Sequence, residues 1–382
     1  VHALIGHTLA QDLSPTRLQR AHLRIAQALE ALDGDQSDRL AELARHWLAA
    51  TRPAEPQRAL HYLRRAGEQA IGALAPIDAI DWLTQGLELL DRQAAPDQLE
   101  RGFFLAALAQ AQLDGGKPEF EATLRQANAI ALELADRDLL VAVAGCFQAG
   151  WNEVSVTDPA RLAVFEAALQ AIDPGDSATR ARLLVGLAEE VDRREWQRRH
   201  ELAGAAVAIV RRLGDTHALA EVLTRSLPMR NGPDDPELRS DARLAADLAR
   251  ASSRTLLLVQ SLPMLLVCAI EDSQLDEAAA IFAEMETIAQ QTGLAYHRWR
   301  VDMTRSFLQL LAGDVAAAEA SSNAAFELGS AMNYGPAFSS FGAQLMAIRT
   351  QQGRLDEVVE LAERGVEEYE TLPGWNAAVA VI

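Results

Sequence analysis

Cysteine is nearly absent from the sequence, and this absence bears on both the class of protein and its compartment. Only Cys146 and Cys268 occur among 382 residues, each within an apolar stretch. A secreted disulfide scaffold needs a dense set of paired cysteines, so that class is excluded. Two small apolar thiols fit the interior of a protein from a reducing cytoplasm.

Long hydrophobic runs are missing as well. The longest apolar stretch, residues 255–270, is shorter than the roughly 20 residues that cross a bilayer, and it contains Gln260, Ser261 and Pro263. No signal peptide is recognisable at the start of the sequence. We therefore predict a soluble, cytoplasmic protein that makes no contact with a membrane.

Positive charge is scarce. Lys117 is the only lysine, the formal net charge is −19 and the sequence pI is near 4.9. Affinity for nucleic acid comes mainly from Lys and Arg side chains that neutralise phosphates. The chain is therefore not expected to bind nucleic acid directly.

Aromatic residues make up 5% of the sequence, and Val, Ile, Thr, Tyr and Phe are few beside Ala, Leu, Glu and Arg. The abundant residues lose little side-chain freedom in a helix, whereas the scarce ones favour a pleated sheet. With 49% hydrophobic residues the chain can bury a large core. The composition predicts an all-α protein.

A repeat of 40 residues organises the C-terminal part of the sequence. Three segments align without gaps and begin at Ser273, Gly313 and Gly353. Apolar or small residues recur at an anchor position and 3, 7, 10 and 14 residues later, a spacing that keeps them on one face of a helix. The anchors of the three copies are Leu275, Val315 and Leu355. A second helix precedes each of the last two copies and ends at its glycine, so the unit is a helical hairpin.

Looser copies extend the repeat toward the N-terminus. Their anchors are Ile77, Phe120, Leu162, Leu202 and Leu238. About eight hairpins then cover roughly residues 55–382. A single hairpin of this size cannot bury both of its apolar faces, so neighbouring hairpins are expected to stack into a curved solenoid. The alternative is a globular helical bundle with accidental periodicity.

Residues 1–50 have a different pattern. Ser14-Pro15 is a helix start, and the apolar spacing that follows predicts one connecting helix. We predict that residues 1–50 are the tail of a preceding domain plus this helix, and that residues 51–382 form the repeat. Both ends of the sequence look cut, so we expect a fragment of a longer protein.

No motif of an active site is complete. The run Gly115-Gly116-Lys117-Pro118 lacks the Ser or Thr of a phosphate loop, and the zinc-protease spacing that starts at His200 has Gly204 in place of the second histidine. Adjacent acidic pairs point in different directions and form solvated faces. We therefore predict that the fragment is not an enzyme and that it has no catalytic residue, no cofactor-binding residue and no metal site.

Without a complete catalytic motif, the remaining class of function is recognition of a partner or ligand. Arginines and aromatic residues gather in four clusters, near Trp151, Trp196, Arg230 and Trp299. Such residues anchor many binding surfaces. The structural alternative is that the tryptophans pack between hairpins and the arginines form surface ion pairs. We predict that a ligand or partner contacts five residues, with Arg230 and Arg300 as the best candidates to bind an acidic ligand or a peptide carboxylate. These residues are Arg194, Trp196, Arg230, Tyr296 and Arg300.

Four stretches carry a family resemblance. Residues 2–30 look like the end of the winged-helix segment that follows the NTPase core in bacterial STAND-type regulators. Residues 61–90, 158–190 and 341–363 resemble tetratricopeptide-like hairpins of the same proteins, which include LuxR-type large ATP-binding regulators and cyclase-fused relatives. The resemblance implies a right-handed superhelix of about eight TPR-like hairpins, truncated at its C-terminus. ATP and magnesium would be bound only by a missing NTPase core.

The resemblance also implies a function. The expected role is the non-catalytic sensor arm of an ATP-dependent bacterial transcription regulator, with a protein partner or small-molecule effector and the protein's own NTPase domain as partners. Self-association into a homo-oligomer is a further possibility. One alternative is the equivalent arm of a cyclase- or kinase-fused signalling enzyme, and another is a self-contained scaffold. The sequence upstream of Val1 would separate the three.

Overall fold

The computed structural model describes residues 13–32, 36–50, 56–146, 158–230, 237–332, 334–368 and 373–381. Every regular element in these ranges is helical, and no strand occurs in them. The chain divides into two compact units, residues 1–115 with 119–127 and residues 116–118 with 128–382. Within the described ranges, no helix combines the length and the apolarity that a membrane span requires.

Within the described ranges, the first unit contains five complete helices and the first part of a sixth. They are α1 (Pro15–Glu30), α2 (Leu40–Ala49), α3 (Pro56–Gly72), α4 (Pro76–Asp91), α5 (Gln98–Asp114) and α6 (Phe120–Leu134). Consecutive helices from α1 to α5 pack on one another, and α3 also packs on α5. The core of the unit includes the buried side chains of Trp47, Leu63, Leu83 and Phe104.

The second unit begins within α6 and continues to the C-terminus. Its other helices are α7 (Arg137–Gly145), α8 (Pro159–Ala171), α9 (Ala178–Glu190), α10 (Trp196–Leu213), α11 (Thr216–Arg230), α12 (Leu238–Ala251), α13 (Thr255–Glu271), α14 (Leu275–Thr292), α15 (Ala295–Leu311), α16 (Val315–Ala331), α17 (Pro336–Gln352), α18 (Val359–Glu368) and α19 (Pro373–Val381). Each of α7 to α17 packs on the next helix in the chain. The odd-numbered helices α7, α9, α11 and α13 also pack on one another in order, as α15 does on α17.

The predicted repeat corresponds to this helix order. Eight hairpins run from α3–α4 to α17–α18 in the described part of the chain, and each predicted anchor falls at or near the start of the second helix of one hairpin. Leu238, Leu275 and Val315 are the first residues of α12, α14 and α16, whereas Leu202 lies six residues into α10. The sequence prediction of about eight helical hairpins is confirmed.

Not every anchor residue belongs to the core: Phe120 and Leu238 are buried, whereas two other anchors lie at the surface. The Leu275 side chain is 67% exposed and Ile77 is 68% exposed. Each lies in the first turn of its helix, at the tip of the hairpin, where the neighbouring helix has already ended. The later described positions of the stripe are buried in all three copies, except that Phe282 is half-buried. They include Ala278, Met285, Ala289, Ala318, Ser322, Ala325, Gly329, Val358 and Ala362.

The turns within the last three hairpins use one backbone conformation. Gly313 and Gly353 have φ values of +82° and +68°, in the left-handed region that glycine adopts without steric cost. Ser273 occupies the same position one repeat earlier and has a φ of +60°. The backbone N–H of each of the three residues donates to the carbonyl oxygen three residues before it. The turn therefore keeps its geometry where its residue type changes.

The predicted boundary at residue 50 stays a prediction. In the described part of residues 1–50 the chain forms α1, a short 3-10 turn and α2, and α2 packs against α3 of the first hairpin. Residues 1–12, which belong to the predicted winged-helix tail, lie outside the described residues.

Candidate ligand-binding surface

A pocket of about 250 Å³ lies in the second unit between the first helices of three successive hairpins. Helix α15 contributes the largest share of its walls, α13 forms the opposite side, and α17 adds one residue. The lining residues are Pro263, Leu266, Val267, Arg300, Met303, Thr304, Phe307 and Gln344. The pocket is therefore apolar, with one arginine, one hydroxyl and one amide in its walls.

Arg300 is held in place by the packing of its own helix. Two turns of α15 bury Tyr296 and Trp299 against Tyr334, with the ring centroids of Trp299 and Tyr334 4.6 Å apart. A Cβ atom added at Gly329 would lie 2.9 Å from Nε1 of Trp299, so the small residue of α16 makes room for the indole. This aromatic contact fixes the rotation of α15. Arg300 then lies half-buried on the side of the helix that faces α13.

The Arg300 guanidinium has no carboxylate partner among the residues that the structure describes. Two arginines on the first helices of preceding hairpins do have one. Arg182 of α9 pairs with Glu221 of α11 at 2.9 Å, and Arg225 of α11 pairs with Glu189 of α9 at 2.6 Å. The residues that surround Arg300 in the pocket are apolar on α13 and an amide on α17. Its positive charge is therefore available to pair with an anionic group of a bound ligand.

The amide of Gln344 has one unmet hydrogen-bonding group. Its Nε2 donates to the carbonyl oxygen of Met303 at 2.8 Å, which ties α17 to α15. Its Oε1 is shielded from solvent and accepts no hydrogen bond within the described ranges. A buried acceptor without a donor costs about 1–3 kcal/mol. A ligand that supplies an N–H group here would recover part of that cost.

The histidine next to this site does not add charge to it. His297 is 1% exposed, and its Nδ1 lies 2.8 Å from the Thr292 hydroxyl. Burial, and to a lesser degree the nearby Arg300, lowers the pKa of His297 to about 4. The imidazole is neutral at physiological pH, so Arg300 is the only charged side chain in the lining of the pocket.

A second pocket of about 330 Å³ lies between α14 and α15. It contains Arg298 and Arg305 together with Glu286 and Asp302. Arg305 pairs with Glu286 at 3.0 Å and also with Asp302. Its two arginines are matched in number by two carboxylates, which makes it a weaker candidate for an anionic ligand than the pocket at Arg300.

The five residues predicted from the sequence do not form one site. Arg194 and Trp196 lie together at the start of α10, where Arg194 pairs with Asp192 at 2.7 Å and Trp196 is 65% exposed. Arg230 is buried at the end of α11 and pairs with Asp241 at 2.6 Å. Tyr296 is buried in the aromatic contact. The buried positions of Arg230 and Tyr296 indicate that both side chains stabilise the fold. The ligand contacts predicted for all five residues remain predictions.

The cluster near Trp151 lies outside the described residues. In the described ranges, no group of three or more His, Cys, Asp or Glu side chains is arranged to hold a metal ion. The predictions of no metal, no cofactor and no catalytic residue in the fragment remain predictions.

Sequence reasoning missed the residues around Arg300, although the repeat contained the signal. Thr304 and Gln344 are 40 residues apart, as are Pro263 and Met303, and Val267 and Phe307. Residues one repeat apart occupy equivalent positions on neighbouring first helices, so each pair lines the same pocket. The aligned stripe covers only the second helices of the hairpins. The same 40-residue offset applied to the first helices would have indicated these positions.

No family model matches the chain, and no curated protein matches it. Solved structures do resemble it. The apo form of RapI is 13% identical, with a TM-score of 0.50 over 93% of this chain and 98% of that one. The likeness is one of fold. It confirms the predicted fold class, an all-α tetratricopeptide-like helical repeat of the superhelical type.

Two other solved structures align with most of the chain at lower TM-scores. A Rap protein complexed with competence and sporulation factor is 14% identical, with a TM-score of 0.41 over 98% of this chain and 94% of that one. Aspartyl phosphate phosphatase F from Bacillus subtilis is 12% identical, with a TM-score of 0.44 over 98% and 91%.

Proposed function

We propose that the chain is a non-catalytic regulatory arm that binds an effector or a protein partner at the pocket around Arg300. The observation that supports this is the unpaired guanidinium in a pocket with apolar walls. An arginine without a counter-charge in such surroundings destabilises a protein unless binding compensates for it. A stack of helical hairpins offers extended surfaces of this kind for recognition.

The proposed parent is an ATP-dependent bacterial transcription regulator, in which the arm couples binding to an NTPase core. The resemblance of residues 61–90 and 341–363 to hairpins of STAND-type regulators supports this context. The arm of a cyclase- or kinase-fused signalling enzyme would have the same pocket. A cytoplasmic location, contact with the protein's own NTPase domain and self-association belong to the same proposal.

Thermal stability in the presence of candidate ligands tests the binding function. The purified chain is heated with a panel of amino-acid derivatives, carboxylic acids and short peptides, and the shift in Tm is recorded for the wild type, Arg300→Gln and Arg298→Gln. Arg298 is the matched control because it lies two residues earlier on α15 and lines the other pocket.

At least one compound should raise the Tm of the wild type and of Arg298→Gln but not that of Arg300→Gln. Equal shifts in all three proteins would place binding elsewhere and contradict the proposed site. ATP turnover by the purified chain, measured as phosphate release, would contradict the non-catalytic assignment.

A further inference from the structure

The pocket at Arg300 makes three chemical demands, and together they define a class of ligand. Arg300 requires an anion, the Oε1 atom of Gln344 requires an N–H donor, and the walls from Leu266 to Phe307 require an apolar group. The residues that carry these groups all line one cavity of about 250 Å³. Pockets for drug-sized ligands have volumes of roughly 300–1,000 Å³, so the ligand part that enters this one is small.

The anion that fits best is a carboxylate. A single guanidinium balances a single negative charge and matches the two oxygens of a carboxylate with two of its N–H groups. A phosphate group carries up to about two charges at neutral pH, and the pocket walls contain no second cation to balance it. The chain as a whole carries a net charge of −19, which disfavours a more highly charged ligand.

The N–H donor and the apolar group must lie close to that carboxylate. Oε1 of Gln344 is shielded while Nε2 donates to Met303, but the last torsion of a glutamine side chain has a broad energy minimum. A small rotation of the amide therefore exposes Oε1 to a donor in the pocket. Met303 and Phe307 of α15, with Leu266 and Val267 of α13, offer the apolar contact. Phe307 is 39% exposed, so part of this surface is open to a ligand.

We propose that the pocket binds the carboxylate of an N-acylated apolar amino acid. One such residue carries a carboxylate, an amide N–H and an apolar side chain on the same carbon atom, and so meets all three demands at once. The last residue of a peptide and a free N-acyl amino acid share this chemistry. The inference rests on the proposed function and names the ligand class for the same site.

Methionine methyl groups provide a direct readout. The chain has six methionines, of which Met303 lines the pocket and Met285 is buried in the core of the second unit. In protein labelled with ¹³C at the methionine methyls, N-acetyl-L-leucine should shift the Met303 NMR signal and leave the Met285 signal in place. A fragment of this size is expected to bind with a Kd in the roughly millimolar range.

Three related probes each lack one of the required groups. N-acetyl-L-leucinamide lacks the carboxylate, 4-methylpentanoate lacks the N–H and N-acetylglycine lacks the apolar side chain. Each should bind at least several-fold more weakly than N-acetyl-L-leucine. The variant Arg300→Gln should weaken N-acetyl-L-leucine at least about tenfold, because it removes a charge-assisted pair, whereas Arg298→Gln should leave the affinity unchanged. An amide that binds as tightly as the acid, or an unshifted Met303 signal, would overturn the proposal.

A five-residue N-acetylated peptide with a C-terminal leucine separates the two sources of this chemistry. If it binds more tightly than N-acetyl-L-leucine and loses that affinity as its C-terminal amide, the source is a peptide terminus. If both bind equally, the source is a free N-acyl amino acid.

Failure of this proposal and failure of the proposed function give different results. If a different compound stabilises the wild type but not Arg300→Gln, only the ligand class is wrong. If no compound distinguishes the two proteins, the binding function at this site is also contradicted.

Discussion

Arg225 and Glu189 form a two-point ion pair between the first helices of neighbouring hairpins. Nε and Nη2 of Arg225 donate to the two carboxylate oxygens of Glu189 at 3.1 and 2.6 Å. The side chains are only 6% and 12% exposed, so both charges depend on each other for compensation. Nearby Glu189 raises the pKa of Arg225 against the effect of burial, which keeps the guanidinium charged.

Breaking this pair should be costly. Glu189→Gln removes the carboxylate that bonds the buried Arg225 guanidinium and leaves only the weaker effects of Glu221 and Glu190. The expected loss in free energy of unfolding is about 3 kcal/mol. Urea denaturation followed by circular dichroism measures it. Asp176→Asn is the control, because Asp176 pairs with Arg212 at 2.7 Å on an exposed surface and should contribute little. Equal losses in the two variants would show that burial of the Arg225 pair has no energetic importance.

Substitution of Arg300 should not lower the free energy of unfolding, in contrast to disruption of the Arg225 pair. Because no carboxylate among the described residues compensates its charge, Arg300→Leu should leave the free energy of unfolding unchanged or raise it by up to about 1 kcal/mol. The same urea denaturation, with Arg225→Leu as the matched comparison, measures the difference. A loss of more than about 1 kcal/mol for Arg300→Leu would mean that Arg300 stabilises the fold, and would contradict its proposed role in binding a ligand.

The contrast between Arg230 and Arg300 shows how far the sequence predicts the molecule. A 40-residue offset located the second helices of the hairpins because each must bury one stripe against its neighbours. The offset carries no information on which polar side chains meet. Arg230 and Arg300 looked alike as arginines near helix ends, and only tertiary packing buries Arg230 against Asp241 while leaving Arg300 beside apolar residues. The partners of a polar side chain depend on the rotation of each helix about its axis. Tertiary packing determines that rotation, and the repeat pattern does not show it.

The turn residue Ser273 offers a stabilising substitution. Ser273 has the same left-handed conformation as Gly313 and Gly353 one and two repeats later, but it carries a Cβ atom that disfavours this conformation by about 1–2 kcal/mol. Ser273→Gly removes that strain and adds about 0.5–1 kcal/mol of flexibility to the unfolded chain. The net gain should be about 0.5–1 kcal/mol, measured as a rise in the urea midpoint. Gly353→Ala is the reciprocal variant and should lose stability. A lower midpoint for Ser273→Gly would refute the equivalence of the three turns.

The buried histidine predicts how stability changes with pH. In the unfolded chain His297 takes up a proton near the ordinary histidine pKa of 6.5, whereas burial in the folded protein lowers this pKa to about 4. The unfolded state therefore binds more protons between these values, and the free energy of unfolding falls as the pH drops from 6.5 toward 4. Between pH 7 and pH 5 the loss due to His297 alone should be about 2 kcal/mol.

The variant His297→Gln isolates this effect, because its amide can still contact Thr292 but does not titrate. His22, His46 and His61 also have lowered pKa values, since burial disfavours their charged forms, and their contributions persist in the variant. The Glu319 carboxylate has a pKa of about 2, held down by hydrogen bonds from Arg349 and Gln352, so its contribution is lost only below the ordinary glutamate pKa of 4.5. Urea titrations at pH 7 and pH 5 should therefore show a loss about 2 kcal/mol smaller for His297→Gln than for the wild type. If the two proteins lose the same stability, the imidazole of His297 is protonated or accessible in the folded state, and the neutral surroundings assigned to Arg300 are incorrect.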